Sequence, residues 1–280
     1  LGKVRKLARR IDRIAARKGP DYHTRLKKPY RQLLQVSGKI LRKARLLCEE
    51  VEAMDRRLVL SVQQLRTFIE RTEHVRGTAR RRVLHGENVP NAEKIFSIFE
   101  PHTQLYKRGK AGEPVQFGRL LLVYEDAAGF VVHHHLLPRD QGDREVIVAQ
   151  TRKLQEILKG KMESLSLDRG FHTPENQVQL LQIVKHPCLP KPGAKQAAKQ
   201  QETATVQFRQ ARQRHPGVES AIGALQSGNG LKRCRDHTEL GFTRYVALGI
   251  LGRNLHTLGR LLIAQQAPES LAAQSLRKAA

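Results

Sequence analysis

The chain has 280 residues, enough for one large domain or two smaller ones. Hydrophobic residues make up 39%, which supports a core over part of the length, while 51 Lys+Arg against 26 Asp+Glu leave a formal charge of +25. Such a surface attracts polyanions, so nucleic acid is the first partner to consider and an acidic membrane surface the second. Cys48, Cys188 and Cys234 stand far apart without a CxxC pair, which excludes a disulfide framework and a zinc site and fits a reduced cytosolic compartment. No apolar run approaches the roughly 20 residues needed to span a bilayer. The opening Leu1-Gly2-Lys3-Val4-Arg5 is neither a signal peptide nor an initiation site; it reads as helix interior, so a segment upstream is expected.

Residues 1–82 hold 24 Lys+Arg against 8 Asp+Glu, a net charge of +16. Apolar residues recur there at helical spacing: Leu7, Ile11 and Ile14; Leu33, Leu34, Ile40, Leu41, Leu47 and Val51; then Leu58, Val62, Leu65 and Ile69. Breaks fall at Gly19-Pro20 and near Met54-Asp55, which predicts two or three amphipathic helices with basic outer faces. The excess of basic over acidic residues favours a DNA-contacting region over 1–85; the competing reading is a solvated helical face.

After His85-Gly86-Glu87-Asn88-Val89-Pro90 the pattern turns β-rich. Residues 94–99 and 117–124 are strand-like, and 130–137 form the second arm of a hairpin across Glu125-Asp126-Ala127-Ala128-Gly129. Residues 143–159 carry helical periodicity, and Ser164-Leu165-Ser166-Leu167-Asp168 is a short strand. Thr173-Pro174 is a good helix start, with Thr as N-cap and Pro at the first position. Residues 185–202 read as a strand end and a loop. Residues 207–226 read as helix broken at His215-Pro216-Gly217, and 242–264 as an apolar last helix. Residues 265–280 read as a frayed tail.

Asp168 closes an apolar strand and precedes Arg169-Gly170 and a capped helix. Ligand chemistry in α/β sheets sits at the carboxyl ends of strands, where an acid can hold a divalent metal; the competing reading is that Asp168 begins a turn. Glu219 lies in the first turns of a helix, where the dipole alone favours a carboxylate. Basic residues around it, Arg212 and Arg214 among them, suggest nearby phosphate. Lys107-Arg108-Gly109-Lys110 lacks the Gly-Lys-Ser/Thr step of a phosphate loop and reads as a backbone-phosphate contact or as solvated charge. His133 and His135 offer two ligands on one strand face without a third nearby. No Ser/His/Asp or Cys/His nucleophile pattern stands out.

Four ordered blocks carry a resemblance: Glu93 to Thr103, Ser166-Leu167-Asp168-Arg169-Gly170-Phe171-His172-Thr173-Pro174-Glu175-Asn176, His215-Pro216-Gly217-Val218-Glu219-Ser220-Ala221-Ile222, and Gly241 to Leu248 with Arg253-Asn254. They resemble DDE transposases of the unclassified insertion-sequence family (ISNCY), well over residues 80–262 and loosely before. The resemblance implies an RNase H-like α/β fold over 86–264, a mixed sheet flanked by helices and preceded by the basic helical region. It implies three acids holding two Mg²⁺ ions, with Asp168 matching the second acid and Glu219 the third. The first belongs on an opening strand that this chain lacks. Asp12 and Asp21 sit on exposed basic faces, and hairpin-turn service accounts for Glu125 and Asp126. The implied activity is cleavage and strand transfer at insertion-sequence ends, incomplete in this chain. Implied partners are double-stranded DNA, as terminal repeats and target, and as candidate assembly a homodimer in a synaptic complex. No membrane is implied, and the place is the bacterial cytoplasm, at the nucleoid. Lys107, Arg108, Lys110, Arg169, Arg212 and Arg214 are the expected DNA contacts. The alternative is a non-catalytic basic nucleic-acid-binding protein.

Overall fold

The computed structural model describes residues 2–17, 19–54, 56–107, 115–139 and 141–278. The chain divides into two compact units, Leu1–Gly118 and Arg119–Ala280. The change from helical to β-rich pattern at residue 86 falls inside the first unit, so the units meet later than the 85/86 boundary expected from sequence.

The first unit is built on α1 (Gly2–Ala16), α2 (Tyr22–Met54) and α3 (Val59–Ala79), the last running into a π-helical turn, Arg80–His85. Buried residues are spaced by seven: Leu7 and Ile14 on α1, Leu34, Leu41 and Cys48 on α2, Val62 and Ile69 on α3. That spacing keeps one seam of each helix against its neighbour, and Leu41, Cys48, Val62 and Ile69 form one cluster. Most basic residues are thereby left on the outer faces, while Arg71 and Arg76 are half-buried. Gly86 ends the helical run at φ 77°, a left-handed conformation that glycine adopts without penalty. Strands β1 (Gln104–Lys107) and β2 (Val115–Gly118) then pair antiparallel, Lys107 opposite Val115.

In the second unit, β3 (Leu121–Glu125) and β4 (Val131–Leu136) form an antiparallel hairpin. Alternation along β3 sends Leu122 and Tyr124 to one face and Leu121 and Val123 to the other. The first face packs on Val146, Ile147 and Leu154 of α4 (Asp143–Ile157) and Leu180 of α5 (Pro174–Leu181), with Leu137, Leu167 and Leu189. The second face meets Val246 and Ile250 of α9 (Thr238–Lys278), with Leu225. Each fully buried aliphatic side chain contributes about 1.5–3 kcal/mol, so this doubly covered hairpin anchors the unit. Burial pushes the Tyr124 phenol up to about 12; its hydroxyl lies 3.0 Å from Thr151 Oγ1.

Strands β5 (Ser164–Ser166) and β6 (His186–Cys188) pair in parallel across α5, with Ser166 opposite Cys188. Thr173 caps α5 by accepting from Asn176 N at 3.0 Å, with Pro174 in the first turn. There follow α6 (Ala194–Glu202), α7 (Val206–Arg214) and α8 (Pro216–Gly223).

The fold is α/β, mostly helical with small sheets. Among the described residues the strands pair only in twos, so the continuous mixed sheet expected from sequence is not formed by them. Residues 94–99, read as strand, are irregular: Arg71 holds the Ile98 carbonyl at 2.9 Å, and Phe96 and Phe99 face Phe117 and Phe68 across 6.0 and 5.4 Å. Residues 194–202, read as loop, form α6, and the helix expected to fray after 264 continues to Lys278. Among the described residues no helix is long and apolar enough to cross a membrane.

Candidate functional site

Asp168 follows β5 by two residues, at the carboxyl end of a parallel strand. Its backbone opens a short 3₁₀ turn, accepting from Phe171 N at 3.1 Å, but its side chain makes no capping bond. Instead Asp168 Oδ1 lies 2.8 Å from His215 Nε2. The turn-opening reading therefore accounts for the main chain alone, and the carboxylate is directed elsewhere.

His215 stands at the junction of α7 and α8, 8% exposed, while the Asp168 side chain is 64% exposed. The other ring nitrogen, Nδ1, is 3.1 Å from Ser166 Oγ. With Asp168 as a carboxylate, Nε2 donates to it, and Nδ1 accepts from the Ser166 hydroxyl. Ser166 and Asp168 share a face because they are two apart on an extended segment. The imidazole thus fastens the α7–α8 junction to the end of β5.

Glu219 is exposed on α8 and four residues beyond His215. On a helix that offset places the two side chains on one face, about 5–6 Å apart at Cβ. Asp168 is thus held by the histidine that starts the helix bearing Glu219.

Cationic groups flank the acids. Arg169, next to Asp168, and Arg212, three residues before His215, line one pocket of about 270 Å³ with Gln200 and Phe208. Arg212 Nη1 is buried there without a hydrogen-bond partner. Arg214 is exposed on α7. Of the remaining expected DNA contacts, Arg108 and Lys110 lie outside the described residues. Lys107 is the last residue of β1, in the first unit.

Glu125 and Asp126 have other occupations. Asp126 Oδ1 accepts from Ala128 N and Phe130 N, each at 2.9 Å, which shapes the β3–β4 turn. The Glu125 carboxylate meets Arg253 at 3.4 Å, and the side chains are 10% and 15% exposed. Burial raises the Glu125 carboxyl above the usual range, with Arg253 opposing that shift. On α9, Asn254 holds both the N–H and the carbonyl of Val131, at 2.9 and 3.0 Å, and the Thr257 hydroxyl donates to Gly129 O at 3.3 Å. These residues make a clamp on the hairpin.

Cys188 is no activated nucleophile: burial raises its thiol, and Sγ donates to Phe208 O at 3.6 Å. His133 lies 3.0 Å from Gln150 Oε1 and 5.7 Å, ring to ring, from Tyr124. Burial, foremost, lowers the His134 and His135 imidazoles.

The residue that sequence reasoning missed is His215, with Ser166 as its second support. One signal was available: polar residues at alternate positions closing an apolar strand, and a histidine just before a Pro-Gly helix start. Among the described residues no group of three or more His, Cys, Asp or Glu is arranged to hold a metal ion. The pair of Mg²⁺ ions expected from sequence needs more acids than Asp168 and Glu219. No family model, curated protein or solved structure matches the chain.

Proposed function

We propose that the chain is the DNA-handling part and an incomplete catalytic part of a DDE-type transposase, working on double-stranded DNA at the bacterial nucleoid. The observation that carries this reading is the Asp168–His215 contact, which joins a carboxylate at the end of β5 to the helix that bears Glu219. Asp168 and Glu219 would hold a divalent cation, which would supply activation of a water or a 3′-hydroxyl for attack on a phosphodiester. The chain's own residues then have distinct tasks. His215 fixes Asp168 Oδ1 and leaves its other oxygen available, Glu219 faces the same side, and Arg169 and Arg212 receive a phosphate.

In the finer reading the fold is RNase H-like, with a sheet that lacks its opening strand. Support comes from β3 and β5. Among the described residues each has a single strand partner, and Leu122, Tyr124 and, around β5, Leu165 and Leu167 belong to one core cluster. A strand added between them would join two pairs into a five-stranded sheet, and an acid on it would complete the set of three.

Mn²⁺ titration by calorimetry tests the reading on the chain as it stands. The parent binds one Mn²⁺, and Asp168→Ala and Glu219→Ala each weaken that binding at least about tenfold, the cost of losing one charged ligand worth about 1.4 kcal/mol. Equal Mn²⁺ affinity in all three proteins sinks the catalytic assignment. What would remain is the second reading, a non-catalytic nucleic-acid-binding protein, which the two-acid count favours. It predicts salt-dependent DNA binding with no metal-dependent nicking in any variant.

A further inference from the structure

Away from the acids, the first unit holds a cleft of about 460 Å³ where α2 packs against α3 and its π-helical end. Five arginines line it: Arg31, Arg42 and Arg45 from α2, Arg76 from α3 and Arg80 from the turn that follows. Its single acid, Glu73, is engaged by Arg45 at 2.5 Å. Glu73 compensates one of the five charges, and the four that remain repel one another, an arrangement that an entering anion relieves.

The cleft is shaped around one of these guanidinium groups. Arg76 reaches across to α2, where Nη2 donates to the Leu34 carbonyl at 3.0 Å. A side chain at Gly38 would obstruct it, since a Cβ there would stand 2.6 Å from Arg76 Nη2. Arg76 is therefore pinned, with little rotamer entropy left to lose when it binds a ligand. Guanidinium groups match phosphate oxygens in geometry and are more weakly hydrated than ammonium groups.

The spread of charge decides the size of the ligand. Arg31 and Arg45 are 14 residues apart on α2, about 21 Å at a rise of about 1.5 Å per residue. One phosphate, or one nucleotide, cannot engage both ends. We infer that the α2–α3 cleft is a phosphodiester-backbone site that takes several successive phosphates of one nucleic-acid strand. This rests on the nucleic-acid part of the function proposed above and is independent of Asp168 and Glu219. The same acids can fail every metal test while the cleft still binds.

The test is fluorescence anisotropy with a labelled 20-base-pair duplex of arbitrary sequence, across a salt series. Parent, Arg42→Gln/Arg80→Gln, Arg42→Lys/Arg80→Lys and a control, Arg5→Gln/Arg9→Gln on the exposed face of α1, are compared, with helicity checked by circular dichroism. Losing two phosphate contacts lowers the slope of log K against log salt by about 1.8 and weakens binding about 30-fold at 0.15 M salt. The Lys pair retains most of the slope because it keeps the charge, and the α1 control stays within about threefold of the parent. Equal losses in the cleft and control pairs overturn the proposal by showing a diffuse basic surface. Displacement of the duplex by millimolar inorganic phosphate at matched ionic strength overturns it by showing a site for a single anion.

Discussion

Arg253→Met tests whether the Glu125 pair is structural. The methionine keeps most of the aliphatic stem, so packing against the hairpin changes little and the guanidinium is what disappears. Glu125 is then left as a 10% exposed carboxylate with no contacting cation and only the weaker charge of Arg260 to oppose its burial. Removing one member of a buried pair costs about 3–5 kcal/mol when the pair is dry. This pair retains some water access and a single contact at 3.4 Å, so we expect about 2–3 kcal/mol at pH 7. Burial raises the folded-state carboxyl pKa above its unfolded value even with Arg253 present. An acid shifted in that direction binds its proton more readily when folded. Its unfavourable contribution is absent below the unfolded pKa and grows as pH rises through the folded one. Removing Arg253 moves the folded value further up, so the deficit of Arg253→Met is largest at neutral pH and shrinks towards pH 5. Glu125→Gln added to Arg253→Met restores most of the loss at pH 7. Urea unfolding followed by circular dichroism at both pH values measures each term. A single-variant deficit under about 0.5 kcal/mol, or one of equal size at pH 7 and pH 5, refutes the reasoning.

His215→Ala should lower stability by about 2 kcal/mol. Asp168 rehydrates at little cost, so the loss comes from the ring's packing and from Ser166; the midpoint of thermal unfolding falls by about 4–8 °C, at about 2–4 °C per kcal/mol for a unit of this size. A midpoint within about 1 °C of the parent shows that the histidine fastens nothing. On α9, Gly249→Ala and Gly259→Ala should differ in sign. A Cβ at Gly249 would stand 2.6 Å from Leu231 Cδ2 and 3.2 Å from the Asn229 carbonyl, whereas at Gly259 it meets nothing within 4 Å. Overpacking of about 1–3 kcal/mol at Gly249 outweighs the gain of up to about 1 kcal/mol in helix propensity that Gly259→Ala receives in full. Chemical denaturation of both variants decides it, and two changes of the same sign refute the packing argument.

The helices of the first unit were legible because their buried residues repeat every seven positions and the breaks at Gly19-Pro20 and near Met54 are local. The β3–β4 hairpin and the start of α5 were legible for the same reason, in Asp126 and in Thr173-Pro174. Sheet assembly was not. Whether a strand finds one neighbour or two depends on edges that periodicity does not encode, and the parallel pair β5–β6 meets only after α5 has crossed between them. The strand-like run 94–99 was misleading because its aromatic residues serve ring contacts from an irregular backbone. At the site, Asp168 and Glu219 could each be read singly. The anchoring of Asp168 could not, because it passes through a histidine whose importance lies in what both of its nitrogens touch.

Glu219 retains two physical explanations, and one substitution separates them. A carboxylate in the first turn of α8 is favoured by the helix dipole wherever it stands around the axis, since that field follows depth along the helix more than azimuth. A role beside Asp168 depends on azimuth, because the position four beyond His215 shares its face and the position five beyond does not. Glu219→Ser with Ser220→Glu keeps composition, net charge and place in the first turns, and rotates the carboxylate by about 100°. If the dipole is the whole account, the swap leaves both stability and Mn²⁺ affinity as in the parent. If the face shared with His215 matters, stability is kept to within about 0.5 kcal/mol while Mn²⁺ binding falls as far as in Glu219→Ala. Retained Mn²⁺ affinity in the swap therefore removes Glu219 from the site and leaves Asp168 as a lone acid held by His215.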